Sequence, residues 1–402
     1  MAKLPGRLGA VRGYRRWRAG ALGGLLLAAS ALLVGSSLVQ TGSNTPCPAA
    51  PATATAAGGT PTDPPVPPLA DYYFTPVPSP VLPSAEPIRR MPGPSTVEVR
   101  GEPYHYTYYV NGTPQTIHGM GYNVAYRLWG WDCEARARRY DRDFAAIRAA
   151  GYDTLIGWDE GEFDDLTMEK AEQYGLGVVL PYDFPRDVDW DDPAVRQVHQ
   201  QRVETLVRRY ANHPALRMWG LGNEVVFAIG DPNSARAQAF ADFFAGLAAR
   251  VHELDPHHPV VYRDGEDVYY PPIRDALRAR GLEQPWMVYG MTAFTFRLQD
   301  ILDDWPSADF HVPLLVSEFG LVDYPLPQRA SGLVRMWDII RQHSDYVIGG
   351  AVYAWTTQGI EVTDTQFGLV DGANHPIDGS LDALRAALTG APPATATPTA
   401  AR

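Results

Sequence analysis

The chain has 402 residues, 45% of them hydrophobic and 20% charged, which is enough ordinary globular sequence for one large domain with extra segments. Its net charge of −12 hides an asymmetry: Lys3, Arg7, Arg12, Arg15, Arg16 and Arg18 put +6 into residues 1–40, so the remainder carries −18. A body that acidic has no basic face for phosphates and argues against nucleic acid as a partner, while only two cysteines, Cys47 and Cys133, argue against a disulfide framework and leave no metal-ligand spacing.

In chain order, residues 19–40 hold no charge and follow the arginine cluster. About 20 apolar residues can cross a bilayer, and arginines on the N-terminal side predict a cytoplasmic start with the rest outside. The length of the run and the lack of a small-residue cleavage site favour an uncleaved anchor; a cleaved secretory signal is the alternative and gives the same extracellular location. Residues 41–95 contain fifteen of the 36 prolines, with much Ala and Thr, and read as an extended, disordered spacer. Residues 391–402 read as a similar tail.

Between them, 96–390 form the expected globular domain. Val97–Val110, ending at Asn111-Gly112, reads as a β-hairpin. Eight short apolar runs follow: Ile117–Asn123, Thr154–Trp158, Gly177–Tyr182, Leu216–Gly222, Val260–Arg263, Met287–Phe294, Leu314–Ser317 and Gly349–Trp355. Helical spacing of apolar residues marks Cys133–Ala150, Ala194–Ala211, Ser234–Leu254 and Gln328–His343 between them, with helix starts at Asp192-Pro193 and at Asp231–Ser234. Eight strands alternating with helices predict an α/β fold, a (β/α)8 TIM barrel preceded by a short β-hairpin. A doubly wound sheet is the alternative, but Gly119-Met-Gly121 lacks the third glycine of a nucleotide turn.

Two of these runs end on glutamates. One is Leu216-Arg-Met-Trp-Gly-Leu-Gly-Asn-Glu224 and the other is Pro313-Leu-Leu-Val-Ser-Glu-Phe-Gly320. A buried carboxylate at a strand end is costly unless it serves a cleft, and barrel enzymes build their sites at the C-terminal ends of the strands. Two carboxyls converging from strands 4 and 7 could act as acid/base and nucleophile on a glycosidic bond.

On these residues the chain resembles clan A of the glycoside hydrolases. Tyr109-Val-Asn-Gly-Thr-Pro114, His118–Asn123 and Phe367-Gly-Leu-Val-Asp371 are similar to segments of the family 2 catalytic domain, without the β-sandwich domains that precede it there. The resemblance implies Glu224 as acid/base, Glu318 as nucleophile, Asn223 as the ligand of the sugar 2-hydroxyl and Trp355 as the platform beneath the reacting sugar. It implies no cofactor or metal. Clan members also carry an Arg ending strand 2 and a Tyr ending strand 6; here those strands read Thr154-Leu-Ile-Gly-Trp158 and Tyr289–Phe294, leaving Arg127 or Tyr289 to substitute.

The aromatics Trp129, Trp131, Trp158 and Tyr182 near the first three strand ends predict a groove for an oligosaccharide. Asp159, Glu160, Glu162, Asp183, Asp264, Glu266 and Asp267 read equally as sugar ligands or solvated loop acids. The function expected is a retaining glycoside hydrolase, acting on β-linked bonds outside the cell. Its rivals are a transglycosylase using the same residues and a non-catalytic carbohydrate-binding barrel; paired acids speak against the second.

Overall fold

Eight parallel strands close into a barrel in the computed structural model, which describes residues 47–48, 82, 84–88, 91–122, 131–158, 160–265, 267–320, 328–356, 367–372 and 374–390. A three-stranded antiparallel sheet precedes it: β1 (Val97–Glu102), β2 (His105–Val110) and β3 (Thr113–Gln115). Asn111 and Gly112, both at positive φ (50° and 76°), form the two-residue turn from β2 to β3, as the Asn-Gly pair predicts. The hairpin expected over Val97–Val110 is present as β1 paired antiparallel with β2, turning at 103–104 with Tyr104 also at positive φ.

The barrel strands are β4 (Ile117–Gly121), β5 (Thr154–Ile156), β6 (Gly177–Tyr182), β7 (Leu216–Asn223), β8 (Val260–Asp264), β9 (Met287–Ala293), β10 (Leu314–Phe319) and β11 (Val347–Val352). Each pairs with the next, and β11 pairs back onto β4. Because all run parallel, their C-terminal ends share one rim. Their residues are almost all buried, which is why they read as continuous apolar runs rather than as alternating ones.

The covering helices are α1 (Cys133–Ala149), α2 (Asp165–Gln173), α3 (Pro193–Tyr210), α4 (Val225–Ile229), α5 (Ala235–Leu254), α6 (Pro271–Ala279), α7 (Leu298–Asp304), α8 (Arg329–Gln342) and α9 (Ser380–Thr389). The expected starts are real caps. Asp192 accepts from the Ala194 N–H with Pro193 first in the helix, and Ser234 accepts from the Ala237 N–H.

Two expectations are corrected. Cys47 and Cys133 are joined in a disulfide, with Cα atoms 5.5 Å apart across 86 residues. Cys47 is seated by Asp164, which accepts its N–H at 2.8 Å and pairs with Arg136 at 2.9 Å, so a side-chain network and not sequence spacing brings the sulfurs together. Part of the supposed spacer also lies on the domain: the N–H groups of Ala85 and Ile88 donate to the carbonyls of Ala145 at the end of α1 and Gln173 at the end of α2. No helix among the described residues is long and apolar enough to cross a membrane; residues 19–40 and 391–402 lie outside the described residues.

Candidate active site

The C-terminal rim brings Glu224 and Glu318 together. Glu318 lies inside β10, 4% exposed, and Glu224 follows β7 directly, half-buried. Both sit where the ladder slips: register shifts occur between Leu315 and Glu318 against β9, and between Gly220 and Asn223 against β8. Such irregularities re-aim side chains and are common beside active sites. Glu224 is itself left-handed (φ 51°), as is Gly222 (φ 83°), so the chain doubles back through an elbow that costs a non-glycine residue ~1 kcal/mol or more. Buried Asp264 holds the far side of this elbow, accepting from the Val226 and Phe227 N–H groups at 3.0 Å each. Burial pushes the Asp264 carboxyl up to about 7.

Thr292 links the pair. Its Cα is in register with Glu318, and its hydroxyl lies 2.7 Å from Glu224 Oε1. The indole N–H of Trp158, after β5, donates to Glu318 Oε1. Burial raises both carboxyls, Glu318 up to about 8, with the Glu224 charge adding to the rise. Hydrogen bonds from Trp158 to Glu318 and from Thr292 to Glu224 oppose it, as does the charge of Arg263. Burial and the repulsion between the two carboxyls therefore both work against ionising the pair at the same time.

A second layer surrounds them. Asp183 pairs with Arg186 at 2.8 Å, and Arg186 also donates to the Asn223 carbonyl at 2.9 Å, fixing the residue before Glu224. Asn223 Oδ1 is buried without a hydrogen-bond partner. Trp158 meets Tyr353 edge-on at 5.1 Å, and Tyr353 meets Phe294 and Phe367 at 5.4 and 5.1 Å, so aromatic edges wall the Glu318 side.

Other expected positions fall elsewhere. Tyr182 is 1% exposed and its hydroxyl bonds His199 of α3 at 2.7 Å, so it faces the helix layer and not the mouth. Trp355 is fully buried: its N–H reaches the Gly121 carbonyl, and its own carbonyl receives the Leu369 and Val370 N–H groups, stitching it beneath the returning chain. Its ring has no open face here; half-exposed Tyr353 is the aromatic at that strand end that meets Trp158. Trp131 is half-buried and packs on the edge of the core just before α1. Tyr289 turns outward onto Trp305 and Phe310, so it does not supply the missing strand-6 hydroxyl. Asp267 forms a surface ion pair with Arg297. Asn123, Arg127, Trp129, Asp159, Glu266 and the side chain of Glu162 lie outside the described residues. Thr292, Arg186, Tyr353 and Arg263 were not anticipated; the arginine in the otherwise apolar Val260-Val-Tyr-Arg263 was the one visible signal.

Comparison with known proteins gives a consistent family. Residues 167–372 match the family described as glycosyl hydrolases family 2, TIM barrel domain. A β-glucuronidase of Sus scrofa is 25% identical over 317 residues, 71% of this chain and 42% of its own length. A β-galactosidase of Lactococcus lactis is 24% identical over 225 residues, 55% of this chain and 20% of its own. Among solved structures, the β-glucuronidase of Bifidobacterium dentium superposes with a TM-score of 0.59 at 17% identity, covering 74% of this chain and 50% of that one. The chain thus spans half or less of each of these relatives.

Proposed function

The chain belongs to family 2 of the glycosyl hydrolases, and from that membership we propose that it is a retaining β-glycoside hydrolase acting on an oligo- or polysaccharide outside the cell. The observation that carries the reading is the Glu224–Glu318 pair: a half-buried and a buried carboxyl at the ends of strands 4 and 7 of the barrel, with Thr292 bonded to the first and in register with the second, and each perturbed by burial. In the first step Glu318 attacks the anomeric carbon while Glu224 gives its proton to the leaving oxygen. In the second, Glu224 takes a proton from water, which displaces Glu318 from the sugar. The unpartnered Asn223 Oδ1 suits a sugar hydroxyl, and Trp158 and Tyr353 offer aromatic surface to C–H faces. Transglycosylation differs only in a sugar hydroxyl replacing that water.

The disulfide supports an oxidising, extracytoplasmic setting, in keeping with an apolar segment at 19–40 that anchors or exports the domain.

The test starts from aryl β-glucuronides and β-galactosides. A 2-deoxy-2-fluoro glycoside of the best substrate should label Glu318 covalently, identified by peptide mass. Azide should restore Glu224→Ala on activated substrates with a β-glycosyl azide as product, whereas with Glu318→Ala it can give only the α-glycosyl azide, by a single displacement. Labelling elsewhere, or a product of inverted anomeric configuration, sinks the retaining assignment.

A further inference from the structure

The arginine expected at the end of strand 2 is missing, and another cation occupies the lumen. Arg263 lies in β8 and is fully buried. Its neighbour Tyr262 packs outward on Phe240 and Phe244 of α5, so alternation turns Arg263 inward. Nη1 donates to the carbonyl of Gly157 and Nε to that of Gly222 at 3.4 Å. Gly157 precedes Trp158, the donor to Glu318, and Gly222 lies two residues before Glu224. The Arg263 carbonyl itself accepts the Glu224 N–H at 3.0 Å. The neighbouring strand β9 makes room: a Cβ on Gly290, in register with Arg263, would come 2.7 Å from Arg263 Cγ.

Nη2 is buried with no hydrogen-bond partner. An arginine so placed is expensive for a fold, and plugging the lumen would need no charge. The charged groups facing it are Glu318, Asp183 and Glu224, which attract it, with Glu318 foremost, and Arg186, which opposes it. Among the described residues no carboxylate lies within ion-pair distance of it, so the attraction acts through space, inside a buried lumen where charge is screened less than in water.

We propose that Arg263 is the positioning residue of the glutamate pair: it ties the ends of β5 and β7 together and supplies the positive charge that Glu318 faces as it ionises. Its effect on turnover rests on the glycosidase reading; its coupling to Glu318 does not, and the test separates the two. Arg263→Gln and Arg263→Lys are made in the full chain, each with Glu318 and with Glu318→Gln, and melted at about pH 5 and about pH 9.5, on either side of the folded Glu318 value. At the higher pH, Arg263→Gln should lower Tm by several degrees more when Glu318 is present than when it is Gln; at the lower pH that gap should close, and Arg263→Lys should show little of it. Equal losses in both backgrounds at high pH would overturn the proposal.

If Arg263→Gln does not fold, Gly290→Ala, which pushes the guanidinium aside, should show the same pH-dependent gap, and its absence would count equally against the proposal. On an active substrate, the acidic limb of kcat/KM should move up by about one pH unit or more in Arg263→Gln, roughly a tenfold loss below the limb, and stay nearly fixed in Arg263→Lys. A fall in activity without that movement makes Arg263 a packing residue. A wild type inert on every aryl β-glycoside would sink the glycosidase reading and leave the melting comparison to decide on Arg263.

Discussion

Replacing Glu318 by Gln should cost the proposed enzyme its nucleophile and make the fold more stable. The amide keeps the shape of the side chain and an oxygen for the Trp158 N–H. In the unfolded chain the carboxyl titrates at its ordinary 4.5; in the fold, burial and the Glu224 charge push it up to about 8. The sign follows from this rise. Below the ordinary value both states are protonated and nothing is lost; between there and the folded value the unfolded chain gives up a proton that the fold retains, so stability falls as pH rises. Each pH unit in that window costs about 1.4 kcal/mol, a ceiling near 5 kcal/mol. Because Glu224 shares the repulsion and the proton, we assign roughly half, about 2 kcal/mol, to Glu318 alone, or about 4–8 °C in Tm for a barrel of this size. Thermal unfolding of wild type and Glu318→Gln, followed by circular dichroism from about pH 4.5 to about pH 8, measures it. The variant should melt with wild type at the acid end and progressively above it toward pH 8. A constant offset across that range, or a less stable variant at the alkaline end, would refute the reasoning.

Thr292→Val removes a bond that favours ionised Glu224, so its carboxyl should rise and the basic limb of kcat/KM should shift to higher pH; an unmoved limb would count against Glu224 as the acid. Trp158→Phe keeps an aromatic ring but deletes the donor to Glu318, so the acidic limb should move up and turnover should fall by about tenfold or more, read from the same profiles. Reducing the Cys47–Cys133 bond opens a loop of 86 residues. Chain entropy sets about 4–5 kcal/mol as the upper limit of its stabilisation, so melting with and without dithiothreitol should differ by several degrees.

The barrel is legible because a strand buried on both faces must be a nearly continuous apolar run, and the glycine–carboxylate endings after Leu216 and Leu314 place Glu224 and Glu318 at the rim. Which way a side chain points is harder to read, because one residue of register moves it to the opposite face. Tyr182 sits in the wall where a neighbour would have faced the mouth, and Tyr353 rather than Trp355 meets Trp158. Arg263 is illegible for a different reason: nothing in an apolar strand tells which lumen-facing position carries the cation, and here it comes from strand 5 rather than strand 2. The cysteine pairing depends on Asp164 and Arg136 converging on a segment whose composition suggests no structure.

The bond between Cys47 and Cys133 also changes what a cut chain can do. It closes a covalent ring that contains most of the proline-rich segment, the three-stranded sheet and the first barrel strand. Cleavage inside the ring therefore yields two peptides still joined through sulfur. A protease acting between residues 48 and 95 would nick the protein without shedding the domain from whatever holds its N-terminus. Release requires a cut before Cys47, or a cut within the ring followed by reduction. On a non-reducing gel such a nicked protein would migrate as one species and separate into two only with thiol, so separation by a cut inside the ring takes two chemically distinct events.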